Sequence, residues 1–429
     1  MALTEQDRLE LDGLLCAELI PAAGCTEPIA VAYAGALARA TLGRRPERVE
    51  VAASGSLLKN VKSVVVPNTG GGRGMEMAVA AGIVAGDETK ELEVLAGVGA
   101  GDTEGIRQFA AQTPISVRAL TDGPVFDLQV RAWGGGDEVF VRIAEEHTKI
   151  VRLERNGRVL REAPLTPPSA GGDAGEAPGP RLSMPVIWAY AVENPLALRV
   201  REVLLRQARN NLAIAREGLR GDYGANIGRV LLESYGDAFL TRAPAWAAAG
   251  ADARMSGCEM PVVINSGSGN QGIAIAVPVA LAAQEKAASE DDLCKALALA
   301  NLTAIHVKEG IGRLSAFCGA VSAGAGAAAG MAWLGEGTYH AVIHAVVNTL
   351  AMISGMVCDG AKASCAAKVA MAIDAAQLAC QMGKFGKQFY GGEGLVTRGV
   401  EATIANIARL ARDGMKETNE EIIRIMTGC

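Results

Sequence analysis

Three long stretches without a charged residue constrain this chain more than any other feature of its sequence. They cover residues 260–284, 314–335 and 337–358, and each is long enough to cross a bilayer as a helix. Their residues are mainly Gly, Ala, Ser, Asn and His rather than Leu, Ile and Phe, and no Lys- or Arg-flanked loops orient them. Since the chain has 52 glycines and only 4% aromatic residues, we expect closely packed helices in a water-soluble core, without membrane spans.

The second half of the chain is predicted to be almost entirely helical. From residue 186 onward, small apolar residues recur at helical spacing. The predicted segments are 187–220, 224–236, 273–285, 290–307, 314–332, 338–356, 361–382 and 398–412, followed by a short helix and a free tail in "NEEIIRIMTGC". Residues 5–20 and 27–41 add two helices at the start of the chain.

Between these helical parts, short β-branched segments indicate a sheet. The predicted strands are "RVEVAAS", "VKSVVVP", "ELEVLAG", "ISVRAL", "VFDLQVRAW", "EVFVRIA" and "TKIVRLERN". One helix, 74–86, interrupts them. The segment "APLTPPSAGGDAGEAPGP" then contains almost no core-forming residue, which indicates a linker or a mobile loop.

We therefore predict an α+β fold in four parts. The N-terminal helices occupy residues 1–45 and pack with the helical domain, and a mixed α/β domain occupies about 46–162. A linker covers 163–185. The larger domain, 186–429, is all-helical, rich in small residues, and carries a cluster of cysteines.

The charge balance and the N-terminus limit what the chain is expected to bind. A net charge of −6 argues against a nucleic-acid partner, and Arg44-Arg45 is too short to be a basic patch. The segment "MALTEQDRLELDGLL" lacks the pattern of a signal peptide. We expect a cytoplasmic protein that acts on a small molecule and binds neither nucleic acid nor membrane. Long apolar helix faces are consistent with a homodimer.

Nine cysteines in such a chain indicate a reducing compartment, where metal binding and catalysis are more common than disulfides. Most isolated cysteines nevertheless behave as small buried apolar residues. Cys16, Cys294 and Cys380 lie on Ala- and Leu-rich helical patterns, and we predict this structural role for them.

Cys25 lies where a helix is predicted to begin. In "GCTEP" a capping residue, an acidic residue and a proline precede an apolar run, which is typical of a helix N-terminus. Unpaired N–H groups and the helix dipole favour an anion there and lower the pKa of a thiol. Cys25 is therefore a candidate reactive thiolate, with a buried structural cysteine as the alternative.

Three further cysteines suit an iron–sulfur cluster. Cys358 and Cys365 form a Cys-x6-Cys pattern in "GMVCDGAKASC", and Cys318 precedes them in "RLSAFCGAVSAGAG". The neighbouring glycines leave room for a cluster and expose N–H groups to its sulfides. Three ligands on a four-iron cluster leave one iron open as a Lewis acid. Zinc binding and three unrelated core cysteines are the alternatives.

Two glycine-rich loops, "VPNTGGGRG" (66–74) and "NSGSGNQG" (265–272), are candidate anion sites. Their backbone N–H groups suit a carboxylate or a phosphate, although tight turns explain them equally well, and neither matches a P-loop or a dinucleotide fingerprint. The second loop also resembles the asparagine loop of pyridoxal-phosphate-dependent dehydratases, which leaves that cofactor open. Lys59 and Asn60, in uncharged surroundings, are weaker candidates to face a site.

The four histidines give weaker signals. His147 lies beside a strand in "EEHTKIV", and His306 lies in "AIHVKEG". His340 and His344 have the i,i+4 spacing of metal ligands but lack the glutamate of HExxH. We expect this pair to be satisfied core groups.

Taken together, these motifs resemble the L-cysteine desulfidase family, which is related to the α chain of iron–sulfur L-serine dehydratases. "GCTEP", "KNVKSVVVPNTGGGRG", the "HT" at 147–148, "INSGSGNQG", "GRLSAFCGAVSAGAG" and "GMVCDGAKASC" occur in the order found in that family. The resemblance covers nearly the whole chain and is weakest in the linker. It implies a [4Fe–4S] cluster and a lyase that converts L-cysteine to pyruvate, ammonia and hydrogen sulfide.

The resemblance also implies roles for individual residues. Cys318, Cys358 and Cys365 match the cluster ligands, and Cys25 matches the family's proposed catalytic base. The residues that we assign to substrate binding are Asn60, Asn68, Thr69, Gly70, Asn265, Ser266, Gly267, Ser268, Gly269, Asn270 and His147. The terminal Cys429 is similar to a cysteine that, in some serine dehydratases, occupies the fourth iron until substrate displaces it.

The leaving group is the main open question. The six residues between Cys358 and Cys365 are fewer than in the dehydratase α chain, which favours the desulfidase. An L-serine dehydratase with the same site is the alternative enzyme. A non-catalytic metabolite or redox sensor is the alternative of another class.

Overall fold

The computed structural model describes residues 3–166, 182–312 and 314–427, so most of the predicted linker and Cys429 lie outside the described residues. The helices are α1 (Glu5–Glu18), α2 (Thr26–Leu42), α3 (Gly55–Val61), α4 (Gly74–Ala85), α5 (Ala100–Gln112), α6 (Met184–Trp188), α7 (Leu198–Arg220), α8 (Ile227–Tyr235), α9 (Phe239–Met255), α10 (Gly269–Glu285), α11 (Glu290–Glu309), α12 (Gly319–Glu336), α13 (Tyr339–Ile353), α14 (Ser364–Lys384), α15 (Val400–Arg409) and α16 (Lys416–Thr427). The strands are β1 (Pro21–Ala23), β2 (Arg48–Ser54), β3 (Ile115–Leu120), β4 (Asp127–Gly134), β5 (Asp137–Ala144), β6 (Ile150–Arg155), β7 (Arg158–Glu162) and β8 (Pro261–Val263). Short 3₁₀ or π segments cover Glu88–Glu93, Ala189–Glu193 and Leu410–Gly414.

Six strands form one mixed sheet in the order β3-β2-β4-β5-β6-β7. Strands β2 and β3 are parallel, because three helices connect them as a crossover. Strands β4 to β7 follow one another as antiparallel hairpins. Helix α2 packs on β4 and β5, and α4 packs on α2 and β3, so these two helices cover one face of the sheet.

Helix α12 lies at the centre of the helical part, where it packs against α10, α11, α13 and α14. All its residues from Ala320 to Ala332 are buried. The packing depends on small residues, since a Cβ added to Gly326 would lie 2.4 Å from the carbonyl oxygen of Ala300 in α11. Among the described residues, no helix is both long and apolar enough to span a membrane.

The N-terminal elements divide between the two parts of the molecule. Helix α1 packs against α7 and α11, and β1 pairs with β8 ahead of α10. Helix α2, in contrast, lies against the sheet and α4. The expectation that the N-terminal helices pack with the helical domain stays a prediction for α2, whose first turn reaches the helical part through the bond from Thr26 to Gly267.

The mixed α+β class is confirmed, but two predicted strands are wrong. The segment 61–67 follows α3 as a turn with one bridge from Val65 to Arg73, and 91–97 forms 3₁₀ and turn structure. Their valines are buried by tertiary packing instead of being paired in a sheet. The patterns also miss α3, α5, α9 and β7. Helix α9 is rich in alanine on every side, which hides its period.

Candidate active site

Cys25 lies directly before the first residue of α2, in the N-cap position. The residue is 2% exposed, and its Sγ donates a hydrogen bond to Glu27 Oε2 at 3.1 Å. Val64 and Met255 pack against Cys25, and Cys365 packs against the same small cluster. The fold therefore brings the thiol of the N-terminal motif against a cysteine more than three hundred positions later in the chain.

The predicted lowering of the Cys25 pKa is wrong. Burial raises the pKa of Cys25 well above its usual value, and the carboxylate of Glu27 raises it further, with Arg254 opposing both effects. A helix dipole contributes about 0.3–1 kcal/mol at an exposed site, which is too little to offset the desolvation of a fully buried thiolate. In the resting structure Cys25 is therefore a thiol hydrogen-bonded to a carboxylate.

Glu27 belongs to the site, although its sequence context indicates only a helix start. Besides the bond from Cys25, its carboxylate accepts a bond from Asn60 Nδ2 at 3.0 Å. Burial would raise its pKa, but the charge of His147 and the bond from Cys25 outweigh that effect, so the pKa of Glu27 is lowered. An ionised carboxylate thus lies within hydrogen-bond distance of the thiol, and at rest the proton stays on Cys25, because the pKa of Cys25 is raised and that of Glu27 is lowered. The sequence signal is an acidic residue two positions after a cysteine at a helix start.

Cys318 and Cys358 lie diagonally across the antiparallel bridge that Phe317 and Val357 form. The N–H group of each cysteine donates across that bridge, at 3.0 and 2.6 Å. Cys365 follows in the first turn of α14. Burial raises the pKa of Cys318 to about 12, and the charges of Cys358 and Cys365 contribute in the same direction. The three thiols are therefore near enough to interact.

This donor set fits a cluster whose thiolates bind separate irons. Over the described ranges, no three His, Cys, Asp or Glu side chains converge closely enough to hold a single metal ion. A four-iron cluster does not require such close convergence, because each thiolate binds a different iron and the thiolates stand further apart. Lys59 Nζ donates to the carbonyl oxygen of Cys358 at 3.1 Å, and Lys368 Nζ donates to that of Val357 at 2.9 Å. These cations favour the thiolate form, which cluster ligation requires.

The loop 265–272 lies beside the Cys25 end of α2. Asn265 and Ser268 exchange backbone hydrogen bonds at 3.1 and 2.9 Å, and Ser266 and Gly267 have positive φ values. Thr26 Oγ1 donates to the carbonyl oxygen of Gly267 at 2.9 Å. The Asn265 amide donates to a buried asparagine of α11 at 2.9 Å. This loop therefore joins the candidate site, but its first asparagine is already bound within the core.

The loop 66–74 is held against α5 and the segment before it. Asn68 Nδ2 donates to the carbonyl oxygen of Leu95 at 2.8 Å, and Thr69 Oγ1 donates within the loop at 2.7 Å. Arg107 Nη2 donates to the carbonyl oxygen of Gly70 at 2.6 Å. These bonds favour the tight-turn interpretation of this loop over the anion site.

His147 is the histidine that the fold places near Cys25 and Glu27. It is 7% exposed and packs edge-on against Phe126 with the ring centroids 4.8 Å apart. Its charge acts on Glu27, as described above. The remaining histidines lie on helices α11 and α13: His306, His340 and His344.

Arg254 is a second residue that the sequence motifs do not indicate. It lies in the last turn of α9, is 2% exposed, and donates from Nη1 to Asn270 Oδ1 at 3.2 Å. Its charge acts on both Cys25 and Glu27. The sequence signal is a single arginine near the end of the alanine-rich run "AWAAAGADARM", shortly before the loop 265–272.

The C-terminal helix also approaches the cysteines. Helix α16 packs against α3, and Asn419 on α16 accepts a bond from Lys59 Nζ at 3.0 Å. Cys429 lies outside the described residues, so its occupation of the fourth iron stays a prediction.

The chain is similar to known proteins over most of its length. Residues 138–424 match the family model described as serine dehydratase alpha chain. A UPF0597 protein of Desulfitobacterium hafniense is 47% identical over 413 residues, covering 96% of this chain and 95% of the relative. UPF0597 proteins of Lachnoclostridium phytofermentans and Treponema denticola are 43% and 40% identical, each over 96% of this chain and over 98% and 96% of their own lengths.

Proposed function

This chain belongs to the serine dehydratase alpha chain family, and from that premise we propose that it is an L-cysteine desulfidase, an iron–sulfur-dependent lyase. The reaction converts L-cysteine to pyruvate, ammonia and hydrogen sulfide by loss of the Cα proton and elimination of the β substituent. One observation carries the proposal: Cys25, hydrogen-bonded to Glu27, belongs to the small apolar cluster against which Cys365 of the three-thiol group packs. A proton-transfer pair and a candidate cluster site are therefore adjacent.

Cys318, Cys358 and Cys365 would hold the cluster, because they are the thiols that converge around the Phe317–Val357 bridge. When bound, a [4Fe–4S] cluster with three thiolate ligands would supply a Lewis acid for the leaving group. Lys59 binds the backbone of Cys358 and brings a positive charge to the thiolates.

Cys25 and Glu27 handle the proton of the substrate. In the proposed reaction the S–H proton of Cys25 moves to Glu27 along the 3.1 Å hydrogen bond, against the resting pKa directions of both groups, and the resulting thiolate accepts the Cα proton. The electron pair of the Cα–H bond forms the Cα=Cβ double bond, while the Cβ–S bond breaks and its pair leaves with sulfur as hydrosulfide. The aminoacrylate then tautomerises and hydrolyses to pyruvate and ammonia. General-base catalysis of this kind is worth about 10²–10⁴-fold in rate.

L-Serine dehydratase is the second candidate function, because the matching family model describes a serine dehydratase alpha chain. The same residues would serve it, with hydroxide as the leaving group. The short Cys358–Cys365 spacing supports the desulfidase through the resemblance to that family. Pyruvate formation from L-cysteine and from L-serine, measured side by side, separates the two.

Two substitutions in anaerobically reconstituted protein test the assigned roles. Cys318→Ala is expected to lose iron and acid-labile sulfide, and retention of the full iron content would contradict its role as a ligand. Cys25→Ala is expected to keep the cluster and lose pyruvate formation. Loss of iron from this variant would instead make Cys25 a ligand. Cys16→Ala, a half-buried thiol on α1, is the matched control and should change neither quantity.

A further inference from the structure

Arg254 is a buried cation that, among the residues the structure describes, has no counter-ion within salt-bridge distance. Its side chain is 2% exposed, and a charge buried to this degree is normally paired. Across the described ranges Arg254 forms no salt bridge, and its one hydrogen bond is the 3.2 Å bond from Nη1 to Asn270. Its Nε and Nη2 atoms are buried and have no hydrogen-bond partner there.

The two unpartnered nitrogens are the ones that a carboxylate recognises. Nε and Nη2 form one edge of the planar guanidinium, and two parallel N–H···O bonds from such an edge bind a carboxylate in bidentate fashion. A carboxylate bound there would satisfy both donors and neutralise the charge. A single acceptor atom such as a water oxygen would leave the charge unpaired.

Gly269 packs directly against the Arg254 guanidinium, whose Nε–Nη2 edge is buried inside the protein. A Cβ added at position 269 would lie 2.2 Å from Nε and 2.7 Å from Cζ. Any side chain at position 269 would therefore displace the guanidinium.

The position of Arg254 connects it to the proton-transfer pair. Its charge lowers the pKa of Cys25 and of Glu27, against the effect of burial on both groups, so it lies near them. Asn60 uses Nδ2 for the Glu27 carboxylate, which fixes the orientation of the Asn60 amide. The Asn60 Oδ1 atom is buried and has no partner in the described part of the chain. The site thus contains an unpaired cationic edge and an unpaired acceptor, which match the carboxylate and the ammonium group of an amino acid.

We propose that the Nε–Nη2 edge of Arg254 binds the α-carboxylate of the substrate and thereby restricts the enzyme to α-amino acids with a free carboxylate. This inference rests on the proposed function and assigns the carboxylate to a side chain that no motif of the chain indicates. The loop 265–272 then contributes Gly269 and Asn270, which hold the guanidinium in place.

Binding of unreactive ligands tests this assignment without turnover. L-Alanine has no β leaving group, and L-alaninamide differs from it by loss of the carboxylate charge. In calorimetric titration of the reconstituted protein, we expect L-alanine to bind about 100-fold more tightly than the amide, since charge-assisted bidentate bonds are strong. Arg254→Lys retains the positive charge but loses the two parallel N–H donors of the guanidinium, so the ratio of L-alanine affinity to L-alaninamide affinity should fall about tenfold. Arg254→Met should remove the preference.

Arg216, whose guanidinium lies over the ring of Trp246, provides the matched control. Arg216→Met should leave the alanine-to-alaninamide ratio unchanged, whereas a purely structural role of Arg254 would weaken both ligands equally and overturn the proposal. If Arg254→Met does not fold, the lysine variant decides, and a wild-type ratio in that variant contradicts the assignment. A protein whose preference for L-alanine over L-alaninamide depends on Arg254, but which releases no pyruvate from cysteine or serine, would refute the proposed function alone. A protein that releases pyruvate, but whose preference for L-alanine over L-alaninamide does not depend on Arg254, would refute this inference alone.

Discussion

Replacing Glu27 by glutamine separates two effects that the carboxylate has on Cys25. Its charge and its hydrogen bond both raise the pKa of the thiol. In Glu27→Gln the amide oxygen can keep the 3.0 Å bond from Asn60 and turn its NH₂ group towards Cys25. The thiolate of Cys25 should therefore form at lower pH in the variant than in the wild type.

Turnover should nevertheless fall. The amide cannot accept the S–H proton, so the buried thiol has lost the acceptor to which it was bonded at 3.1 Å. A general-base contribution of about 10²–10⁴-fold corresponds to a barrier increase of about 3–5 kcal/mol, at about 1.4 kcal/mol for each tenfold change in rate. The variant thus combines a more acidic thiol with slower chemistry.

Two assays on the anaerobic protein check this combination. Alkylation of Cys25 by iodoacetamide, followed by peptide mass spectrometry over a range of pH, reports the thiolate, and pyruvate release from saturating L-cysteine reports turnover. Asp12→Asn serves as control, since Asp12 is a buried carboxylate on α1 bound to Tyr190 at 2.5 Å. It should change neither readout per folded molecule. A Glu27→Gln enzyme that turns over at the wild-type rate or faster would refute Glu27 as the proton acceptor.

Three further predictions concern the scaffold. Gly326→Ala should lower the free energy of unfolding by about 1–3 kcal/mol, because the new methyl meets a carbonyl of α11. In Gly335→Ala, on the same helix, the new methyl group points into open space, so this variant should raise the free energy of unfolding by about 0.5–1 kcal/mol. Urea unfolding measures both variants, and equal effects on the free energy of unfolding would contradict the packing account. Tyr190→Phe should destabilise the protein by about 1–3 kcal/mol, since it removes the donor to the buried Asp12 carboxylate; an unchanged melting temperature would contradict this role. Burial would raise the pKa of Glu401, but its bonds from a histidine ring and a backbone N–H group lower it. Glu401 therefore stabilises the folded protein above its unfolded pKa of about 4.5, and this stabilisation is lost as the pH falls through its lower pKa in the folded protein. The decrease in unfolding free energy caused by Glu401→Gln should accordingly become smaller on acidification, not larger.

The parts of the fold that follow from local signals could be predicted from the sequence. The acidic residue and the proline after Cys25 correctly predict a helix start, although Cys25 itself is the N-cap and makes no side-chain capping bond. The hairpins β4 to β6 follow from alternating β-branched residues. The strand predicted at 61–67 is wrong because a run of valines fits a buried turn as well as a strand. Only packing against the rest of the molecule decides between these two states.

The pKa shifts at the site depend on tertiary contacts, so the sequence motifs do not predict them. The dipole argument for Cys25 omits its complete burial and the carboxylate of Glu27, and these reverse the direction of its pKa shift. Arg254 is equally hidden, because a single arginine in an alanine-rich helix is ordinarily a solvated residue. Its burial against Gly269 becomes apparent only when α9 and α10 are packed together.

The central claim is that this chain uses a cluster held by three cysteines, and a thiol facing it, to eliminate sulfide from cysteine. Its most direct test is a single experiment on anaerobically reconstituted protein, in which iron, sulfide and pyruvate are counted during incubation with L-cysteine and, separately, with L-serine. We predict roughly four irons per chain and equal amounts of sulfide and pyruvate from L-cysteine, at a rate above that of pyruvate formation from L-serine. A protein with its full iron content that releases neither product from L-cysteine would contradict the claim.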